Sequence, residues 1–198
     1  MRHFVVLGHD APTGADFALD NLPGGAGRLD LLARSLIAAL LLSHDIREDT
    51  KLHLVLADEF TLTFAGASLR SLHPDERSAA ALIRSALEHG EEPVGRVAVE
   101  PSPGIALRRA GFEHTMERLV DQGTVLPLQP DGRPVVNVEP PRDSVFVLSD
   151  HRDFTEQDRE VLSTAGDEAV SVSPRALHTD QAITVAHNWL DTEGFTRY

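Results

Sequence analysis

The chain has 198 residues, 31 Asp and Glu against 18 Lys and Arg, a formal charge of −13, 41% hydrophobic residues and no cysteine. It can bury a sizeable core, lies outside the disordered and fibrous classes, and has no disulfide, thiolate metal site or thiol nucleophile. Its longest apolar stretch, Ser35 to Leu42, is less than half a membrane span, and the opening MRHFVVLG is too short for a signal peptide, so the expectation is a cytoplasmic protein with no membrane partner.

In chain order, His3 to Gly8 (HFVVLG) reads as a buried first strand. His9 to Gly27 carries too many Gly and Pro residues for a regular element and is long for a structureless connection, which marks it as functional or disordered. From Arg28, LDLLARSLIAALLL is apolar on nearly every face and predicts a helix buried on two sides. Lys51 to Ala57 alternates like a strand, and Thr61 to Ala65 is its hairpin partner across Asp58 and Glu59. A helix follows with Pro74 just inside its start and Gly90 as its C-cap.

Arg96 to Glu100 reads as a short strand and Ile105 to Asp121 as a helix weakened by Gly111. Thr124 to Leu128 is a strand running to a turn at Pro130, Asp131 and Gly132, and Ser144 to Leu148 (SVFVL) is the clearest buried strand. Thr155 to Thr164 starts like a helix, with Thr and acidic residues in its first turns; Glu168 to Val172 is a last strand and His178 to Leu190 a last helix carrying Trp189. Alternating strands and helices predict a single α/β domain over residues 1–198 with a mostly parallel sheet.

Metal and hydrolase chemistry find no support. The ten His residues include no His-Glu-x-x-His pair and no facing pair at i, i+4, and Gly-x-Ser-x-Gly is absent, so no metal is expected. Two regions carry more. PGGAGR before the buried helix places backbone N–H groups at a helix N-terminus, with Arg28 and Asp30 at its mouth. Asp30 is there either an ordinary first-turn acid facing the helix dipole or a proton acceptor beside a substrate held by Arg28. In the last third, Leu128 to Gly132, Leu148 to His151 and Ser171 to Pro174 are loops at strand ends. Ligands of open α/β sheets bind at such ends, and three loops gathered at one edge form an apolar slot suited to a nucleoside-bearing ligand; plain connecting turns are the alternative.

Four segments in order, FVVLGHDAPT, PGGAGRLDLL, VFVLSDHRDF and SVSPRALHTDQAITVAHNWLD, resemble the archaeal tRNA pseudouridine-54 N1-methyltransferases of the SPOUT class over nearly the whole chain. The resemblance implies an α/β SPOUT-type open sheet with a C-terminal deep trefoil knot, a homodimer, S-adenosylmethionine bound in the knot, and the T arm of tRNA as substrate. It places Leu128 and Gly132 in the first knot loop, and Leu148, Ser149 and Asp150 with His151 in the second. Ser171, Val172, Ser173 and Pro174, followed by Leu177, make the third. Ser149 and Ser173 stand where relatives resemble Gly, and Ala182 where relatives often have Cys, which implies direct transfer without a thiol. Arg28 and Asp30 match an Arg-x-Asp also similar in rRNA pseudouridine methyltransferases; the resemblance implies Asp30 as base and Arg28 as the guanidinium that holds a phosphate or a base carbonyl. Methylation of rRNA, and a non-catalytic RNA-binding protein of the same fold, are the alternative functions.

Only Lys51 among the 18 cations is a lysine. Acidic excess with so little Lys fits a salt-rich cytoplasm, although a GC-rich genome favours Arg as well. RNA contact then needs local arginines. Arg2, Arg108 and Arg109 are the candidates, Arg118 sharing the predicted helix with the last two and Arg70 and Arg96 joining them; Phe17 and Phe112 are stacking candidates. The apolar Leu29 to Leu42 helix and the Trp189 helix are candidate dimer surfaces.

Overall fold

The computed structural model describes residues 1–93, 97–166 and 168–198. Among them, eight strands form a mixed sheet in the order β4-β5-β3-β2-β1-β7-β6-β8. Strand β1 (Arg2–Gly8) lies at its centre, parallel to β2 (Thr50–Leu56) on one side and to β7 (Ser144–Ser149) on the other. Strand β6 (Thr124–Pro134) continues the parallel half beside β7, and β8 (Val170–Ser171) follows it. The other half is antiparallel: β3 (Phe60–Ala65), β5 (Ile105–Arg108) and β4 (Val99–Ser102).

Strand alternation divides the core between two faces. Phe4 and Val6 of β1, with Leu52, Leu54, Phe146 and Leu148, face helices α2 (Leu29–Leu40), α3 (Glu76–Leu87) and α6 (Thr179–Asp191). Val5, Leu7, Val55, Val145 and Val147 face α4 (Phe112–Leu119) and α5 (Glu156–Ala165). Helix α2 buries nine of its twelve residues, as its all-round apolar sequence requires, because it lies between α3 and α6 as well as on the sheet. Helix α5 starts on the expected Thr155, which forms a capping box with Asp158.

The structure departs from the sequence reading in several places. Ile105 to Asp121 is not one helix. Ile105 and Leu107 alternate inward as β5, and the helix begins only at Phe112, whose backbone N–H donates to Asp58 Oδ1 at 2.6 Å. Gly111 is required at that junction, since a Cβ there would lie 2.3 Å from the same oxygen. Arg108 and Arg109 therefore precede the helix that carries Arg118. The helix expected to include Pro74 starts after an Asp75 cap, which accepts from Ser78 N, and ends at Leu87, short of Gly90. A four-residue helix α1 (Leu22–Gly25) occupies the Gly- and Pro-rich loop. The expected strand at residues 96–100 is β4, Val99–Ser102, and Arg96 lies outside the described residues. Trp189, with no exposed surface, packs inside the protein, and its indole meets Phe146 edge-on at 6.3 Å. No described helix is long and apolar enough to cross a membrane.

Candidate active site at the carboxyl edge of the sheet

Because β1, β6 and β7 are parallel, the loops after them leave the sheet on one edge. The second half of β6, the ends of β7 and β8 and the loops after those two strands line a single cavity of about 580 Å³, within the range of small-molecule sites. Leu128 stands in its wall from within β6, which runs on to Pro134 in place of the expected turn at Pro130, Asp131 and Gly132; Leu148 and Ser149 end β7 and Asp150 and His151 follow it, and Ser171 ends β8 with Val172, Ser173 and Leu177 after it. Ala182 of α6 completes the apolar side. Gly132 and Pro174 stand outside this wall. A Cβ on Gly132 would lie 2.6 Å from the Val170 carbonyl carbon, so glycine there lets the end of β6 lie against β8. Thr179 Oγ1 donates to Ser149 O at 2.7 Å and fastens α6 to the end of β7. The Ser149 hydroxyl is buried and has no hydrogen-bond partner, a polar group left over at the cavity.

Arg28 and Asp30 belong to an ion cluster built round the buried Asp30 carboxylate. Gly27 and Arg28 take successive left-handed conformations, φ 53° and 61°. Only glycine suits the first, because a Cβ would lie 1.7 Å from Asp10 O. The second bends the chain so that the Arg28 guanidinium returns over its own helix N-terminus, a conformation that costs a non-glycine residue on the order of 1 kcal/mol. Its Nε and Nη2 donate to the two Asp30 oxygens at 3.0 and 3.1 Å. Arg34 Nη1 donates to Asp30 at 3.0 Å and to Glu76 at 3.1 Å, while its Nε lies 3.7 Å from Asp180. Asp30 is 3% exposed. Burial pushes its carboxyl up, but the hydrogen bonds and charges of Arg28 and Arg34 outweigh it and hold the group below the usual carboxylate range. The Asp30 hydrogen bond likewise keeps Arg28 firmly protonated, with the charge of Asp150, a cavity residue, adding to it.

The sequence reading missed His9. Its backbone N–H donates to Asp150 Oδ2 at 2.9 Å, its Nδ1 lies 3.2 Å from Asp150 Oδ1, and its Nε2 lies 3.0 Å from Asp158. Burial lowers its basicity, but the two carboxylates win, and its pKa is raised. The imidazole thus bolts the loop after β7 to both β1 and α5, and the two carboxylates favour its protonated form. Arg34 was missed as well. These partners are more than 140 residues apart in the case of His9, and no local spacing displays them.

The RNA candidates are scattered. Arg2, at the opposite end of β1 from the cavity, is paired with Asp191 at 2.6 Å and Asp49 at 3.4 Å. Arg109 reaches Glu59 and lies over the Phe60 ring; Arg108 ends β5 on the antiparallel half of the sheet, and Arg70 donates to the Leu69 carbonyl. Phe112 is core, and Phe17 packs against the other core cluster. A separate open groove of about 850 Å³ lies between the carboxyl ends of α2 and α6, walled by Ile37, Leu41, Leu42 and His187; it contains none of the site residues above.

A family model described as "Putative SAM-dependent RNA methyltransferase" matches residues 1–195. The chain is 58% identical to the tRNA (pseudouridine(54)-N(1))-methyltransferase of Haloferax volcanii and 57% to that of Haloarcula marismortui, covering all of each protein. Identity to the Methanosarcina acetivorans enzyme of that name is 39%, over 96% of this chain and 91% of that one. In fold it is similar to Archaeoglobus fulgidus Nep1, whose crystal structure is bound to S-adenosylhomocysteine, with TM-score 0.61, 13% identity, and coverage of 96% of this chain and 97% of that one. On identity over its full length, the chain belongs to the family of the archaeal tRNA (pseudouridine(54)-N(1))-methyltransferases.

Proposed function

We propose that this protein transfers a methyl group from S-adenosylmethionine to N1 of pseudouridine 54 in the T arm of tRNA. The observation that carries this reading is the full-length 58% identity to an enzyme of that name. The cavity fits the cofactor: β6 and the ends of β7 and β8 surround it, its wall is apolar at Leu128, Leu148, Val172, Leu177 and Ala182, and the orphaned Ser149 hydroxyl offers a hydrogen bond. Bound there, the cofactor supplies an electrophilic sulfonium methyl. The chain's own work is alignment and management of one proton. Arg28 presents donors to the base or its phosphate from a position fixed by Asp30. Asp30, ionised throughout the neutral range, is a weak base, so it takes the N1 proton only as N1 gains the methyl and turns strongly acidic. The N1–carbon bond would form as the sulfonium carbon–sulfur bond breaks, leaving S-adenosylhomocysteine, and the N1 proton would pass to Asp30, so that the methylated base is neutral.

The same reading includes a deep trefoil knot, a homodimer and work in the cytoplasm. The knot is carried by the family the chain belongs to. The half-apolar groove at Ile37, Leu41 and the 40% exposed Leu42 supports a partner on that side of α2.

The test is incubation with S-adenosylmethionine and T-arm transcripts carrying uridine or pseudouridine at position 54, followed by nucleoside mass spectrometry. The expected product, 1-methylpseudouridine, arises only from the pseudouridine transcript. Methylation of uridine, or none on any tRNA while the cofactor binds, overturns the reading.

A further inference from the structure

A tRNA must approach a chain whose net charge is −13, and the arginines that sequence reasoning favoured are held by carboxylates or sit away from the cavity. The cavity mouth has a different composition. Arg152, Arg159 and Arg175 all line it. Arg152 is paired with Asp10. Arg159, on α5, and Arg175, on the loop after β8, are exposed, and among the described residues neither guanidinium has a hydrogen bond or an ion pair. In a chain where acids outnumber cations 31 to 18, two guanidiniums without acidic partners at the rim of one cavity are available to an incoming anion. Asp150, which also lines the cavity, is turned inward onto His9. With Arg152 paired to Asp10, Arg159 and Arg175 stand against Asp131 and Asp153, so the mouth is near neutral in a molecule that is strongly negative.

We propose that Arg159 and Arg175 grip backbone phosphates of the RNA beside the target nucleotide and hold its base over the cavity. The proposal rests on the RNA methyltransferase reading and adds to it the residues that position the substrate. A guanidinium is suited to the task, since its planar fork matches two phosphate oxygens at once. Both side chains lie in solvent at the rim, whereas the inner wall is apolar, so they meet an incoming polyanion before they meet a small cofactor. They are positioning residues, because the reacting atoms lie over the loops and the Arg28–Asp30 pair.

The experiment compares the full chain with Arg159→Gln, Arg175→Gln, the double variant, and Arg77→Gln, an exposed α3 arginine without an ion pair that controls for net charge. Binding of a T-arm RNA is followed by anisotropy across a salt series, S-adenosylhomocysteine binding by calorimetry, and methyl transfer at varied RNA concentration. Each rim variant should weaken RNA binding about 3- to 10-fold and reduce the slope of log affinity against log salt by about 1. KM for RNA should rise while kcat and S-adenosylhomocysteine affinity stay put, and Arg77→Gln should resemble the parent. RNA affinity and slope unchanged in the double variant would overturn the proposal. So would a loss of S-adenosylhomocysteine affinity instead, which would assign the arginines to the cofactor carboxylate. A parent that binds RNA through these residues yet methylates no tRNA would retire the functional reading and leave the grip standing.

Discussion

Three buried imidazoles should make this protein acid-sensitive well above the carboxylate range. Burial, the first cause in each case, pushes His187 down to about 3 and His3 to about 4, and lowers His53 as well. His187 is locked neutral: its Nε2 faces the Ala39 carbonyl at 3.0 Å and its Nδ1 faces Arg2 at 3.1 Å, with Arg47 opposing a proton and Asp191 favouring one. His3 and His53 stack with planes 2° apart and share one hydrogen bond of 3.0 Å. An unfolded imidazole titrates near 6.5, so between pH 7 and 5 the unfolded chain binds protons that the native one refuses, and stability falls as pH falls. By pH 5 the loss is about 2 kcal/mol each for His187 and His3, whose native values lie near 3 and 4, so the two remove about 4 kcal/mol, a large part of the 5–15 kcal/mol that holds a typical domain together. His53 adds a loss of the same sign. The assay is denaturant unfolding in high salt at pH 7 and pH 5, read by Trp189, the only tryptophan and fully buried. His187→Gln keeps a donor and an acceptor but cannot titrate, so its loss between the two pH values should be about 2 kcal/mol smaller than the parent's. An equal loss in the two proteins would refute the reasoning.

Asp30→Asn should lower methyl transfer by about 100-fold or more while S-adenosylhomocysteine affinity stays within about threefold; an equal fall in both would make the residue structural. The parent's rate should show no ionisation from Asp30 between pH 5 and 8, because its pKa is held below the ordinary carboxylate value; a limb in that window that vanishes in Asp30→Asn would contradict this. His9 carries the opposite sign to His187: its pKa is raised, so its contribution is complete below about 6.5 and is lost as pH rises through the native value. His9→Gln should therefore weaken S-adenosylhomocysteine binding more at pH 6 than at pH 9, measured by calorimetry, and a pH-independent deficit would argue against the cationic bridge. Gly27→Ala combines a positive φ with a clash on Asp10 O and should cost about 2 kcal/mol or more in unfolding experiments.

Periodicity exposed those elements whose burial is simple. The SVFVL strand at Ser144 is buried on both faces, and the helix from Leu29 is covered on nearly every side, so each reads as an unbroken apolar run. Ile105 to Arg108 misled because a four-residue strand next to a true helix offers only two inward residues, too few to distinguish a period of 2 from one of 3.6. The cavity was legible, since the strand ends and loops that form it carry resemblance motifs. The partners of its charged groups were not. His9 meets Asp150 and Asp158 because β1 and β7 run parallel and end together, and Arg34 meets Glu76 and Asp180 because α2 lies between α3 and α6. Such pairings are products of topology, and local sequence does not contain them.

Topology also decides which charges can function in salt. At about 1 M the screening length is roughly 3 Å, so exposed groups lose most of their long-range field while buried pairs at contact keep theirs. The central carboxylate of the Arg28–Asp30–Arg34 cluster is 3% exposed, so its contact pairs are screened less than exposed ones. Arg159 and Arg175 are exposed. Their attraction for phosphate acts only at contact, so in salt they contribute the directed hydrogen bonds of a guanidinium and little steering. Selection of one nucleotide in a folded arm must then come from the fit of that arm to the cavity mouth, and an acidic shell elsewhere on the chain costs the reaction little.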